Sequence, residues 1–296
     1  MKIIIAGSSG FIGSNLVAHF EAQGHQLVLL SREPKKTNAY YWNPEERQID
    51  PSVLEGADLV INLSGESILG RWTSKKMEQI RNSRLVSTQF LCDTLLTLPT
   101  LPKLYINASA IGFYGDRPQE ILDETSQSGH GFLAEVCRQW EAIPAALASK
   151  GVRVVFSRFG IVLGEGGALK QMEKAFRIGL GGVLGTGEQI MSWIAVDDVC
   201  SAMSHIISHP EISGPVNFVA PQSVSNASFT EALGKVLQRP TMVPVPKFAL
   251  TMLFGAGADT LLSSSDARPH RLLETGFAFQ YPELEEALKK YLSIKP

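Results

Sequence analysis

Cysteine is scarce: Cys92, Cys137 and Cys200 are the only three in 296 residues, far apart and odd in number. That excludes a disulfide framework and any paired-cysteine metal knuckle, and it suits reduced thiols in a cytosolic core. Long hydrophobic runs are missing too. The most apolar late segment, Phe248 to Leu262, is interrupted by Asp259 and falls short of the ~20 residues that a bilayer span needs. A secretion signal would require a longer apolar core than Ile3–Ala6 and a cleavage site, so the protein is expected to be soluble and cytoplasmic, with no membrane partner. Neither sign of charge dominates, since 27 Lys and Arg face 29 Asp and Glu, and nucleic acid or anionic lipid gains no global attraction. The most basic stretch, Arg71 to Arg84, also holds Glu78 and reads as a solvated helix face. No repeat at solenoid spacing and no low-complexity linker divides the chain.

What is present begins at the amino terminus. The buried-strand run Lys2–Ala6 is set directly against Gly7, Gly10 and Gly13, and Phe11, Ile12, Leu16, Val17 and Phe20 follow with helical spacing. A second strand, Leu27–Leu30, comes next, so the glycine spacing meets the context that a dinucleotide cradle requires. Gly7 can adopt φ > 0, Gly10 has no side chain to block a pyrophosphate, and Gly13 lets the helix approach the sheet. The N–H groups of the helix N-terminus, from Ser8 through Ile12 and Gly13, then face the phosphates. After the second strand, Ser31-Arg32 stands where an acidic residue usually meets the ribose hydroxyls. A guanidinium there receives a 2′-phosphate through charge-assisted hydrogen bonds, which predicts NADP(H) over NAD(H). The plainer alternative is a surface cation in a β–α loop.

Further strand-like runs at Asp58–Leu63, Lys103–Ala108 and Arg153–Ser157 alternate with amphipathic segments of helix length. The alternation predicts an α/β fold of Rossmann type, a doubly wound parallel sheet with right-handed crossovers. Helices are expected over Thr73–Leu98, capped by Thr73 or Ser74, and over Phe132–Lys150, closed by Gly151. Beyond about residue 165 come the glycine-rich 179–187, a strand Trp193–Val196, a helix begun by Asp197 or Asp198, short strands near Val216–Val219 and Thr241–Val245, and a final helix from Pro282 to Leu292. The division expected is a coenzyme domain over 1–165, with parts of 190–220 returning to it, and a smaller α/β substrate lobe over 166–296.

Small residues in Asn62-Leu63-Ser64-Gly65-Glu66 end a strand where a backbone can approach the adenine side of a cofactor. Together with Gly10-Phe11-Ile12-Gly13, Leu30-Ser31-Arg32, Arg71-Trp72, Ser83-Arg84, Ser109-Ala110-Ile111-Gly112-Phe113-Tyr114-Gly115, Trp140-Glu141 and Trp193-Ile194, they give a chain that resembles an extended short-chain dehydrogenase/reductase. More closely, it resembles the atypical YfcH-like epimerase-family proteins, some of which carry a cell-division-inhibitor label. The segment from Arg268-Pro269 through Gly276-Phe277-Ala278-Phe279 to Ala287-Leu288 is similar to that family's C-terminal domain of unknown function, about 246–293. The resemblance implies an NADPH site that includes Ser31, Arg32, Leu63, Ser64, Arg84 and Ile161, with Gly65 beside them, and a small-molecule substrate, nucleotide-sugar-like in kind.

The same superfamily uses a tyrosine phenolate whose pKa, ~10 when unperturbed, is lowered by a lysine four residues on. Aligned on Glu141, those positions here are Leu133 and Cys137, and neither does such acid–base work. Tyr291 and Lys295 have the spacing but lie in the terminal helix, a chance match. Ser109, at the end of the fourth strand, and Tyr114, in a glycine-flanked loop, are left as the catalytic candidates. His130 and Glu135 are secondary ones. His205 and His209 have metal-ligand spacing without a third ligand, so no metal site is expected. Two readings compete: an NADP(H)-dependent oxidoreductase or epimerase with an atypical site, and an NADPH-binding regulator, for example of cell division, whose bound state a protein partner reads. A serine hydrolase is disfavoured, because Ser109 lacks a Gly-x-Ser-x-Gly elbow.

Overall fold

The computed structural model describes residues 1–241 and 244–292. The amino-terminal strands are β1 (Lys2–Ala6), β2 (Gln26–Ser31), β3 (Ala39–Asn43), β4 (Gln48–Ile49), β5 (Leu59–Asn62) and β6 (Leu104–Ala110). After them come β7 (Arg117–Leu122), β8 (Arg153–Phe159), β9 (Ile161–Leu163), β10 (Ile190–Met191), β11 (Trp193–Ala195), β12 (Gly214–Phe218), β13 (Val224–Ser225) and β14 (Ser265–Ala267). The main sheet runs β12-β8-β6-β5-β1-β2-β3-β4 and is parallel except for the β3–β4 hairpin. Chain direction reverses its sideways progress at β1, which leaves a crevice at the carboxyl ends of β1 and β5, where open α/β sheets take ligands.

Alternation along β1 builds both cores. Ile3 and Ile5 face α1 (Phe11–Ala22) through Leu16 and Phe20, whereas Ile4 and Ala6 belong to the cluster of Phe90, Leu91 and Leu95 on α2 (Ser74–Leu96). Helix α2 starts where Thr73 accepts the N–H of Lys76, a side-chain N-cap. The expected long helix after it is in fact two, α3 (Phe132–Ala142) and α4 (Ala145–Ala148), because Pro144 has no N–H to continue the ladder.

The later helices α5 (Gly167–Arg177), α6 (Val196–Ser208), α7 (Asn226–Leu237), α8 (Lys247–Phe254), α9 (Ala258–Leu262), α10 (His270–Glu274) and α11 (Leu284–Leu292) follow in order, and Val199, Met203 and Ile206 of α6 join the main-sheet core with Ile3 and Leu16. Helix α6 carries no side-chain cap, contrary to expectation. Asp198 instead accepts the N–H groups of Gln280 at 2.7 Å and Tyr281 at 3.1 Å, pinning the tail before α11. The final helix begins at Leu284 rather than Pro282. Of the strand expected near Thr241–Val245, Met242 and Val243 lie outside the described residues, as does Lys295, and Val245 forms a bridge with Leu184. Strands β3 and β7 escape a sequence reading because exposed Tyr40 and Tyr41 in one, and polar residues in the other, break the apolar alternation. Among the described residues no helix is long and apolar enough to cross a membrane.

Candidate functional site

The parallel register brings Gly7, Ser31, Leu63, Ser64 and Ala110 to one edge of the sheet, at the carboxyl ends of β1, β2, β5 and β6. Gly7 takes φ +81°, and a Cβ on it would lie 2.7 Å from the Leu63 carbonyl carbon. At Gly13 a Cβ would meet the Gly7 oxygen at 2.2 Å, so the α1–β1 approach depends on glycine there. Gly10 is the N-cap of α1 and offers no side chain to the first N–H groups, which leaves them for an anion. Phe11 turns away from this opening: Cβ atoms on Gly164, Gly166 or Gly167 would each fall within 3 Å of its ring. Ser31 is half-buried and its Oγ accepts the Glu33 N–H at 3.1 Å, while Arg32 is exposed beside it. Ile161, half-buried at the start of β9, donates its N–H to the Ser192 carbonyl at 2.9 Å.

Arg84 projects from α2 to the same edge. Its Nη1 donates to the carbonyls of Glu66 at 3.0 Å and Ile80 at 2.9 Å, and its guanidinium lies 5.3 Å from the Trp140 ring centroid. A Cβ on Gly65 would sit 3.2 Å from its Cζ, so Gly65 makes room for the cation. Burial lowers the Arg84 pKa, and the neighbouring Cys137 and Glu66 work against that fall. Cys137 in turn lies against Ser109 and the Ala110 backbone, within the field of Arg84, and its thiol is pushed up to about 11, chiefly by burial and then by Glu141. It is a protonated, inert thiol at neutral pH.

Beneath this edge runs a buried polar chain. Ser109 donates to Glu141 Oε1 at 2.6 Å, and Arg158 grips both Glu141 oxygens, from Nε at 2.9 Å and from Nη2 at 2.8 Å. Arg158 Nη1 also donates to the Tyr114 hydroxyl at 3.0 Å. The Tyr114 proton has two acceptors within reach, Asn217 Oδ1 at 2.7 Å and the Asp123 carbonyl at 2.8 Å. Tyr114 is fully buried and its pKa is pushed up to about 12, by burial first and against the pull of Arg158. The guanidinium of Arg158 also lies 3.6 Å from the Phe113 ring centroid.

The family profile of the "NAD dependent epimerase/dehydratase family" matches residues 3–219. The chain belongs to that family. A second profile, "Domain of unknown function (DUF1731)", matches this epimerase-family chain over residues 245–291. An epimerase family protein of Mycobacterium bovis is 39% identical over 300 residues, 99% of this chain and 98% of that protein. The crystal structure of human epimerase family protein SDR39U1 (isoform 2) with NADPH superposes with a TM-score of 0.91 at 33% identity, covering 99% of both chains. A nucleoside-diphosphate sugar epimerase from Corynebacterium glutamicum matches with a TM-score of 0.82 at 35% identity, over 99% of this chain and 58% of that one.

Within this family member, Ser109 and Tyr114 are both buried. Ser109 is 3% exposed and spends its proton on Glu141, whereas the next residue, Ala110, is the half-exposed one at the strand end. His130 is exposed, and Glu135 is tied to Arg138 and Gln139 on the surface of α3. His205 and His209 stack with ring centroids 3.8 Å apart, and no group of three metal-capable side chains occurs among the described residues. The Glu141–Arg158 pair was not singled out beforehand. Its signal is Arg158 itself: an arginine at the penultimate position of an interior strand, between Phe156 and Phe159, must find a buried partner.

Proposed function

We propose that this epimerase-family chain holds NADP(H) at the carboxyl edge of the sheet and is an oxidoreductase whose pocket lacks a protic residue at the customary positions. The observation that carries the reading is the glycine cradle, with Gly7 at φ +81°, Gly13 close against the Gly7 carbonyl and an α1 N-terminus that no side chain caps. Arg84 adds a cation beside Gly65, held by the Glu66 and Ile80 carbonyls. Backbone N–H groups from Ser8, Phe11, Ile12 and Gly13 are assigned to the pyrophosphate, with Gly10, whose own N–H donates to the Gly7 carbonyl at 3.1 Å, leaving it room, and Ser31 with Arg32 to a 2′-phosphate. Leu63, Ser64 and Gly65 line the adenosine side, Ile161 walls the far end, and Arg84 compensates anionic charge between them. The NADPH in the human relative's crystal structure supports this choice of coenzyme.

The bound coenzyme would supply a hydride to a carbonyl carbon, or accept one from a carbinol. Ala110 and Leu133 carry no exchangeable proton and the Cys137 thiol, pushed up to about 11, is too weak an acid to release one at pH 7; their part is to exclude water from the apolar side of the pocket, so the substrate oxygen exchanges its proton with solvent at the mouth. Ser109 and Tyr114 act as positioning residues, holding the Glu141–Arg158 pair as a rigid floor.

Calorimetry and coenzyme oxidation with a panel of carbonyl compounds test the reading. Arg32→Ala is expected to weaken NADPH binding about tenfold while leaving NADH binding unchanged. Ser109→Ala and Tyr114→Phe should retain hydride transfer within about tenfold, since neither touches the reacting atoms. Equal affinity for both coenzymes, untouched by Arg32→Ala, would sink it. Tight NADPH binding without turnover on any carbonyl would move the chain to the regulator reading.

A further inference from the structure

Beside Ser31, assigned above to a 2′-phosphate, stands a side chain that no step so far has used. Strands β2 and β3 pair in parallel register, Leu29 with Ala39, Leu30 with Tyr40 and Ser31 with Tyr41. Such neighbours lie about 4.8 Å apart, and successive side chains alternate between the two faces of the sheet. Leu29 belongs to the core under α1 and Ala39 packs against that core, so Ser31 and Tyr41, two residues further along each strand, share the α1 face. Leu30 and Trp42 belong to the opposite core, which puts Tyr40 on the other face. The face common to Ser31 and Tyr41 is therefore the one on which the uncapped α1 N-terminus opens.

The two strands also end at different heights. Strand β2 stops at Ser31, whereas β3 continues past its Ser31 partner to Asn43 and turns back into β4. Two residues of overshoot, about 7 Å at strand rise, make the hairpin a wall beside the loop that carries Arg32. Tyr41 is 44% exposed, and its hydroxyl has no hydrogen-bond partner among the described residues. Arg32 is exposed and likewise has neither ion pair nor hydrogen bond there, while the adjacent Glu33 and Lys35 pair with each other at 3.4 Å. On its outer side the Tyr41 ring borders an open groove of about 770 Å³, shared with Tyr40, Arg47, Asp50 and Ser52. The cation of that groove is already bound, Arg47 to Asp93 at 2.9 Å, and Asp50 adds a carboxylate. A phosphate is thus drawn to the Arg32 side of the ring and not into the groove.

We propose that Tyr41 is a third contact for the 2′-phosphate, its phenolic O–H donating to a phosphate oxygen across from Arg32, and that it adds to the preference for NADP(H) over NAD(H). The inference rests on the NADP(H) reading above. A hydrogen bond to an ionised acceptor is roughly twice as strong as a neutral one, and a tyrosine has only two χ angles to order. Because the hydroxyl gives up water to make the bond, the net effect is modest.

Tyr41→Phe removes that hydroxyl alone, and Tyr40→Phe, 40% exposed on the other face, is the matched control. Calorimetric titrations use NADP⁺, 2′,5′-ADP and NAD⁺ on the parent and both variants. A parent that takes up neither NADP⁺ nor 2′,5′-ADP would defeat the coenzyme reading itself. Given uptake, Tyr41→Phe is expected to weaken NADP⁺ and 2′,5′-ADP roughly five- to tenfold and to leave NAD⁺ within about twofold, with Tyr40→Phe binding all three like the parent. NADP⁺ bound by Tyr41→Phe as tightly as by the parent, an equal loss for NAD⁺, or an equal loss in Tyr40→Phe would each overturn the role of Tyr41 and leave the cradle in place.

Discussion

Arg84 is proposed to supply from α2 the positive charge that a lysine supplies in the resembled superfamily, at whose lysine position this chain has the protonated thiol of Cys137. The guanidinium is held by two backbone carbonyls and stacked on Trp140, so its position does not depend on the thiol beneath it. Arg84→Gln is expected to weaken NADPH binding about tenfold or more, and adding Cys137→Lys in the same chain to restore part of that loss; calorimetry reads both. Glu124 presents a different single-residue problem. Its Oε1 accepts the Asn217 N–H at 2.9 Å while Oε2 is buried without a partner, and burial raises its pKa. A carboxyl whose folded pKa is raised contributes no penalty while both states are protonated, below the ordinary glutamate value of ~4.3. As pH rises past that value the unfolded chain loses its proton first, so the fold loses stability until the raised folded pKa is passed. Glu124→Gln should therefore raise the Tm at pH 8 and lose its advantage near pH 4 in thermal denaturation.

Among the elements, α1 and its strand depend on the glycine spacing more than on helix propensity. A methyl group at Gly13 would have to displace the Gly7 carbonyl from 2.2 Å, and both lie in backbone that cannot yield without opening the cradle. Gly13→Ala is expected to cost roughly 1–3 kcal/mol in denaturant unfolding and to abolish detectable NADPH binding. This part was legible in advance, because a strand, glycines at fixed spacing and an amphipathic helix are all local signals. Tyr114 was not. A tyrosine in a glycine-flanked loop looks available for chemistry, yet Asn217 from β12 and Arg158 from β8 draw its hydroxyl inside. Ser109 shows the same dependence: its hydroxyl turns inward to Glu141, a partner 32 positions away that no local pattern names.

At the scale of the whole molecule, the tail closes a second core against α7 and is tied back to α6, whose apolar residues belong to the main-sheet core. Leu284, Ala287, Leu288 and Leu292 of α11 pack against Phe229, Leu233 and Leu237 of α7, and Asp198 at the start of α6 holds the chain just before them. Leu288, fully buried, should cost about 2–5 kcal/mol when replaced by Ala, measured as a shift in the urea midpoint. Sequence alone was enough for the coenzyme cradle, the α/β architecture and the absence of the Tyr–Lys pair, since each rests on residue types at short separations, where backbone sterics and side-chain periodicity decide. Only the tertiary structure decided that Arg84 lies on the Glu66 and Ile80 carbonyls and that Ser109 and Tyr114 meet a buried ion pair. Apart from the one with Ile80, those contacts join residues well separated in the chain, and what brings such residues together is the closing of the hydrophobic core, which no local pattern records.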